Sequence, residues 1–182
     1  WKQGDYYGTE GPRLGLAVAR MVGHITYLSD KGMERKFGRR LRNREKYGFD
    51  FSSEFEVETY LSYQGRSFVE RFDANSMLYL TKALDYFDLS AGFGSLTDVF
   101  RHCRSLFLLM AFTSDWLYPP YQLKEVAQAI RRAGGDATYC EISSDYGHDA
   151  FLLEHKAQEP LVRSFLERVM ERKEGPDAGS GI

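Results

Sequence analysis

The sequence predicts an α/β fold, and three observations carry the prediction. Residues 105–112, S-L-F-L-L-M-A-F, form a continuous apolar run of strand length, halted by Thr113, Ser114 and Asp115 and too short to span a membrane. Pro119 and Pro120 then favour a helix start, and Leu123, Val126, Ala127 and Ile130 keep one apolar stripe until Gly134-Gly135 stops it. A second strand follows over 137–142, ends in S-S-D-Y-G and is succeeded by His148. Two strands joined by a helix belong to an open parallel sheet, and the unpolarised first strand is buried on both faces.

The chain before this unit is helical in pattern. Over 11–28, Leu14, Ala17, Val18, Met21, Val22 and Ile25 recur at helical spacing, with Pro12 suited to the first turn. Arg20, His24 and Tyr27 lie three or four apart and so share one side of this helix, and periodicity alone leaves room there for a solvated face with a snorkelling arginine. Residues 30–47 are rich in Lys and Arg. The interleaved Glu34 and Glu45, and the lack of stacking aromatics beyond Phe37 and Tyr47, read as a solvated helix and loop rather than a polyanion site. Two aromatic helices follow over 54–72 and 73–87, carrying Phe55, Tyr60, Phe68 and Phe72, then Met77, Leu80, Leu84 and Phe87. Being apolar on more than one side, they need each other and a further surface to cover them. A turn over 88–94 leads back to the α/β core, where 96–102 runs into the first strand. After His148 a last helix over 160–172 is expected to face Leu161, Phe165, Leu166 and Val169 inward, and 174–182 reads as a frayed tail.

Composition narrows the functional classes. The 182 residues, 43% hydrophobic and 27% charged, suit one globular domain or a large part of one. A net charge of -2 with mixed-sign runs gives no basic field, so no nucleic-acid partner is expected. Cys103 and Cys140 fit neither a disulfide framework nor a metal-site spacing; they read as reduced core thiols of a cytoplasmic protein with no metal and no membrane span.

In an open parallel sheet, chemistry sits outside the carboxyl ends of the strands, where Asp115 and His148 both fall. Asp before His on consecutive strand ends is two thirds of the Ser, Asp, His order of an α/β-hydrolase triad. Asp136 lies at the wrong end of its strand, Asp145 lies in the His148 loop itself, and His155 reads as surface, so Asp115 is the expected orienter of His148 Nδ1–H. The serine belongs upstream in a G-x-S-x-G turn, which the sequence does not contain. Since Trp1 is no translation start, the chain is expected to be a fragment whose missing amino-terminal half supplies the nucleophile.

Four stretches carry a family likeness: T-S-D-W-L-Y-P-P around Asp115, G-H-D-A-F-L around His148, A-R-M-V-G-H-I-T-Y-L-S-D across Arg20 and Tyr27, and R-F-D-A-N-S-M-L-Y-L-T over 71–81. Together, from Trp1 to about Val169, the sequence resembles the homoserine O-acyltransferases. The resemblance implies the carboxy-terminal half of an α/β-hydrolase fold with an inserted helical lid. On that pattern 1–29 is a core segment with the tunnel helix, 30–92 the lid and dimerisation insertion, 93–173 the core bearing the acid and base, and 174–182 the tail. It implies Asp115 and His148 as catalytic, Arg20 and Tyr27 as lining the substrate tunnel, and Asp149 as holding the amino group of homoserine. The implied reaction moves an acetyl or succinyl group from acyl-coenzyme A, a co-substrate rather than a bound cofactor, to the hydroxyl of L-homoserine in methionine biosynthesis. A homodimer paired through the lid is implied as well. Serine as acceptor, or an esterase of the same fold that sends water to the acyl-enzyme, stand as alternatives. A purely structural dimerisation module would have no reason to hold Asp115 and His148 at neighbouring strand ends.

Overall fold

A computed structural model describes residues 1–174 and divides the chain into two units, Trp1–Asp88 and a second that begins at Leu89. The first unit is built from α1 (Arg13–Tyr27), α2 (Asp30–Lys36), α3 (Glu56–Val69) and α4 (Ala74–Tyr86). Side chains cap three of these starts. Ser29 accepts from Gly32 N at 2.9 Å at the head of α2, and Asp73 accepts from Ser76 N at 2.8 Å at the head of α4. Glu58 reaches back to the backbone N–H groups of Glu54 and Phe55, at 2.7 and 2.8 Å, to satisfy the first turn of α3. α1 packs on α3 at buried Gly65, where a Cβ would stand 2.8 Å from Met21 Cε and 2.9 Å from the Ala17 carbonyl. Only glycine lets the two backbones approach this closely.

The helix α1 forms where its periodicity places it, but its aliphatic residues divide between two sides, Ala17 and Met21 meeting Gly65 of α3. Leu14, Val18, Val22 and Ile25 are exposed, whereas Arg20 and His24 turn toward Phe68 and Tyr60 of α3. The physical reason lies in α3: its aromatic rings offer π faces and a phenol that receive a guanidinium and an imidazole. The solvated-face reading of Arg20 is therefore set aside.

The second unit contains α5 (Leu96–Phe100), β1 (Leu106–Phe112), α6 (Pro120–Arg132), β2 (Asp136–Ile142), a 3₁₀ turn at Gly147–Asp149, α7 (Ala150–Leu153) and α8 (His155–Glu174). β1 and β2 pair in parallel, from Leu106 opposite Asp136 to Phe112 opposite Ile142. The apolar run of β1 has partial cover on both faces, Leu106 to Met110 being half-buried and Ala111 and Phe112 buried, less than the sequence leads one to expect. Phe107 and Leu109 pack with Ala127 and Ile130 of α6, while Met110 and Phe112 pack with Ala150 and with Leu161 of α8. Gly134, at φ +84°, and Gly135 turn the chain from α6 into β2.

Two expectations for the last helix are corrected. It begins at His155, because Ala157 N and Gln158 N already close a turn on the Glu154 carbonyl before Pro160 is reached. Proline in the sixth position then removes only one intrahelical bond. Leu161, Phe165 and Val169 are half-buried, but Leu166 is 54% exposed and lies with Val162 and Met170 on the outer side. It sits about 100° around the helix from Phe165, too far to share the inner stripe. The expected tail over 174–182 falls, from 175 on, outside the described residues.

Candidate active site

The carboxyl ends of β1 and β2 bring Asp115 and His148 together. Asp115 follows the last strand residues by three positions, and its N–H bonds back to the Phe112 carbonyl at 3.1 Å, so the chain leaves the sheet in a tight turn. Its Oδ1 accepts the N–H groups of Leu117 and Tyr118, both at 3.0 Å. That fixes the carboxylate plane and aims Oδ2 at His148 Nδ1, 2.9 Å away. Asp115 is 7% exposed, and its ion-pair partner among the described residues is this imidazole when protonated. With Nδ1–H given to the carboxylate, a neutral ring keeps its lone pair on Nε2, the atom a general base uses.

The His148 ring lies between Tyr118, 5.2 Å from its centroid, and Phe151, 5.5 Å away. Sequence reasoning gave neither aromatic a role. Their signal was adjacency alone, Tyr118 three residues after the acid and Phe151 three after the histidine. Asp149 follows His148 in the 3₁₀ turn and is half-buried.

Arg20 and Tyr27 lie in the first unit. The Arg20 guanidinium stands 5.0 Å from the Phe68 ring and 6.0 Å from the Tyr27 ring, and its Nε is buried with no hydrogen-bond partner among the described residues. His24, between them on α1, shares a hydrogen bond of 3.0 Å between Nδ1 and the Tyr60 hydroxyl, and the Lys36 ammonium lies 4.2 Å from the centre of the Tyr60 ring. Sequence spacing put His24 on this side of α1 but assigned it nothing, since its partner sits 36 residues away. Among the described residues no cluster of His, Cys, Asp or Glu is placed to hold a metal ion, and no helix is long and apolar enough to cross a membrane.

No protein-family model matches the chain. It is 57% identical over 166 residues to a homoserine O-acetyltransferase of Methanohalobium evestigatum, which takes in 91% of the chain. A homoserine O-acetyltransferase of Geobacter sulfurreducens is 54% identical over 169 residues, 93% of the chain. The chain is a homologue of the homoserine O-acetyltransferases. It spans 34% of the length of the first of these relatives and 45% of the second. Among solved structures, the homoserine O-acetyltransferase of Bacillus anthracis matches with a TM-score of 0.79 at 26% identity, over 91% of this chain and 44% of that one. The esterase E22, with a TM-score of 0.75 at 23% identity, shares the fold. The architecture is accordingly part of an α/β-hydrolase fold, as the order of Asp115 and His148 predicts.

Proposed function

We propose that this chain supplies the acid and base of a homoserine O-acyltransferase. The observation that carries the reading is the hydrogen-bonded Asp115–His148 pair at the ends of adjacent parallel strands, in a chain homologous to enzymes of that name. In the first step His148 Nε2 accepts the hydroxyl proton of a serine outside this chain as its oxygen attacks the thioester carbonyl of acyl-coenzyme A. The proton passes to the departing thiolate and leaves an acyl-serine ester. In the second step Nε2 accepts the proton of the homoserine hydroxyl as that oxygen attacks the ester, and returns it to the serine. Asp115 holds the imidazole in the required tautomer and stabilises the imidazolium formed in each step.

Acceptor binding falls to Arg20, Tyr27 and Asp149. A guanidinium held over aromatic rings with its Nε unpartnered suits the acceptor carboxylate, and Asp149 suits the ammonium. The names of the relatives favour acetyl over succinyl as the group transferred, acetyl-coenzyme A being a co-substrate and no bound cofactor being required. We assign 30–92 to a lid that also pairs subunits, on the strength of the outward Tyr79, Leu84, Tyr86 and Phe87 of and just after α4. The place of action is the cytoplasm, in the acylation of homoserine on the route to methionine.

The test is acyl transfer by the intact polypeptide, with acetyl- and succinyl-coenzyme A as donors and L-homoserine, L-serine and water as acceptors. The expected result is acetyl transfer to homoserine that outruns thioester hydrolysis. Free coenzyme A released as fast without an acceptor as with one would move the protein to the esterases.

A further inference from the structure

Three side-chain hydrogen bonds that no part of the proposed reaction uses tie the loop after β1 to the loop after β2. The Thr113 hydroxyl donates to the Ser144 carbonyl at 3.2 Å and accepts the Ser144 N–H at 3.1 Å, so one side chain takes both backbone groups of a residue 31 positions on. This continues the strand pairing, since Thr113 N already bonds the Ile142 carbonyl at 3.0 Å. The Ser114 hydroxyl accepts Gly147 N–H at 2.9 Å. Ser144 Oγ accepts Tyr146 N–H at 3.2 Å and closes the loop on itself.

The residues so held are the ones that present the histidine. Gly147 immediately precedes His148, is buried, and has φ +66°, a conformation costly for any residue with a Cβ. Ser144 is 6% exposed, so its backbone groups have little water to fall back on and depend on Thr113. Ser114 is also the residue before Asp115. A displacement of the acid loop is thereby transmitted to the base loop through two side-chain oxygens as well as through the Asp115–His148 bond.

We propose that Thr113 and Ser114 are positioning residues for His148, forming a hydroxyl clasp that sets the loop over 143–148 in register with Asp115 before any substrate binds. Their oxygens touch backbone and no reacting atom; they act by fixing the backbone on which the imidazole is mounted. Ser114 is the more direct of the two, being one hydrogen bond from the residue next to His148. The clasp deepens the acyltransferase reading, and its geometry is tested apart from turnover.

The experiment compares Ser114→Ala, Ser114→Thr and Thr113→Val in the intact polypeptide by two measurements. The first is the His148 Nδ1–H proton resonance in histidine-labelled protein, assigned by its loss in His148→Gln. The second is acyl transfer resolved into kcat and KM. In Ser114→Ala and Thr113→Val the resonance should broaden or shift, and kcat should fall roughly 10- to 100-fold with KM little changed, as expected for a catalytic group displaced by a fraction of an ångström to an ångström. Ser114→Thr, which keeps the hydroxyl, should restore both. If the wild-type protein transfers no acyl group but the resonance still responds and is rescued, the clasp stands and the acyltransferase reading falls. An unchanged resonance in Ser114→Ala and Thr113→Val, or a loss in Ser114→Ala that Ser114→Thr leaves uncorrected, would overturn the clasp. If Ser114→Ala does not fold, Thr113→Val, which conserves volume while removing the hydroxyl, decides the matter by the same criteria.

Discussion

Asp115 uses its two oxygens for different tasks, one accepting from the Leu117 and Tyr118 backbone and one facing His148. Replacement by asparagine separates these tasks. An amide oxygen can still accept the two backbone N–H groups, but the NH₂ then faces Nδ1 and forces the tautomer that carries its proton on Nε2. Asp115→Asn should therefore melt nearly like the wild type and lose about 10⁴ in kcat. Ordinary turnover in that variant would deny Asp115 the catalytic role proposed for it. A second residue-scale prediction concerns Tyr6 and Asp73 at the head of α4. The Tyr6 hydroxyl donates to Asp73, and this bond, ahead of the Ser76 backbone donor, holds the Asp73 carboxyl below its ordinary pKa. Burial, then the bond to Asp73, pushes the Tyr6 phenol up. The lowered carboxyl contributes stability above the unfolded value, about 3.9, and loses it as pH falls through that value toward the folded one. The raised phenol contributes below its unfolded value, about 10, and loses it as pH rises through the folded one. Melting temperature followed against pH should have a shallower acid limb in Asp73→Asn and a shallower alkaline limb in Tyr6→Phe; limbs parallel to the wild type would show that the pair contributes nothing.

Between elements, the α1–α3 crossing depends on the missing side chain of Gly65 and carries Arg20 and His24 on the same face of α1. Gly65→Val would drive a Cβ into the Ala17 carbonyl and Met21, so we expect a loss of about 1 to 3 kcal/mol in denaturant unfolding. Acceptor KM should rise with it, because α1 is the element that aims Arg20; a valine variant with native stability and KM would mean the helices separate without consequence. This crossing also shows where sequence reading stops. The apolar run of β1, the double proline before α6 and the Gly134-Gly135 stop are local signals, and the strand–helix–strand unit and the Asp115–His148 meeting follow from them. The direction of α1 is not local. Leu14, Val18, Val22 and Ile25 recur as regularly as Ala17, Met21, Arg20 and His24, and which of them meet α3 is decided by Gly65, Tyr60 and Phe68, distant in sequence. The hydroxyls of Thr113 and Ser114 are hidden for the same reason, since a polar loop residue looks alike whether it meets water or a backbone group 31 or 33 positions away.

At the scale of the whole chain, each unit carries apolar surface that its own residues leave uncovered. In the first unit Leu14, Val18, Val22 and Ile25 form an exposed stripe along α1, and in the second Val162, Leu166 and Met170 form another along α8. β1, although apolar throughout, is only half-buried from Leu106 to Met110, and its one strand partner among the described residues is β2, so one edge of each strand is open. Burial of each large side chain contributes about 1.5 to 3 kcal/mol. Several such terms left unrealised approach the roughly 5 to 15 kcal/mol by which a domain is stable, and open edges add a route to aggregation. The chain spans 34% and 45% of two of its relatives, which leaves more than enough polypeptide in those proteins to cover both stripes and extend the sheet. We therefore expect the 182 residues expressed alone to bind a hydrophobic dye strongly, to sediment as aggregates and to transfer no acyl group, lacking a serine elbow to acylate. Co-expression with the segment that precedes the corresponding region in a relative should suppress dye binding and restore transfer if the interface residues match. The decisive control is Leu14→Glu with Val18→Glu. On the isolated chain these substitutions should reduce dye binding and aggregation, because they break up the bare stripe, whereas in the co-expressed pair they should prevent assembly, because they place charge in a buried contact. An isolated chain that melts cooperatively as a monodisperse species and transfers acyl groups unaided would instead mean that the stripe is ordinary surface and that the nucleophile lies within these residues.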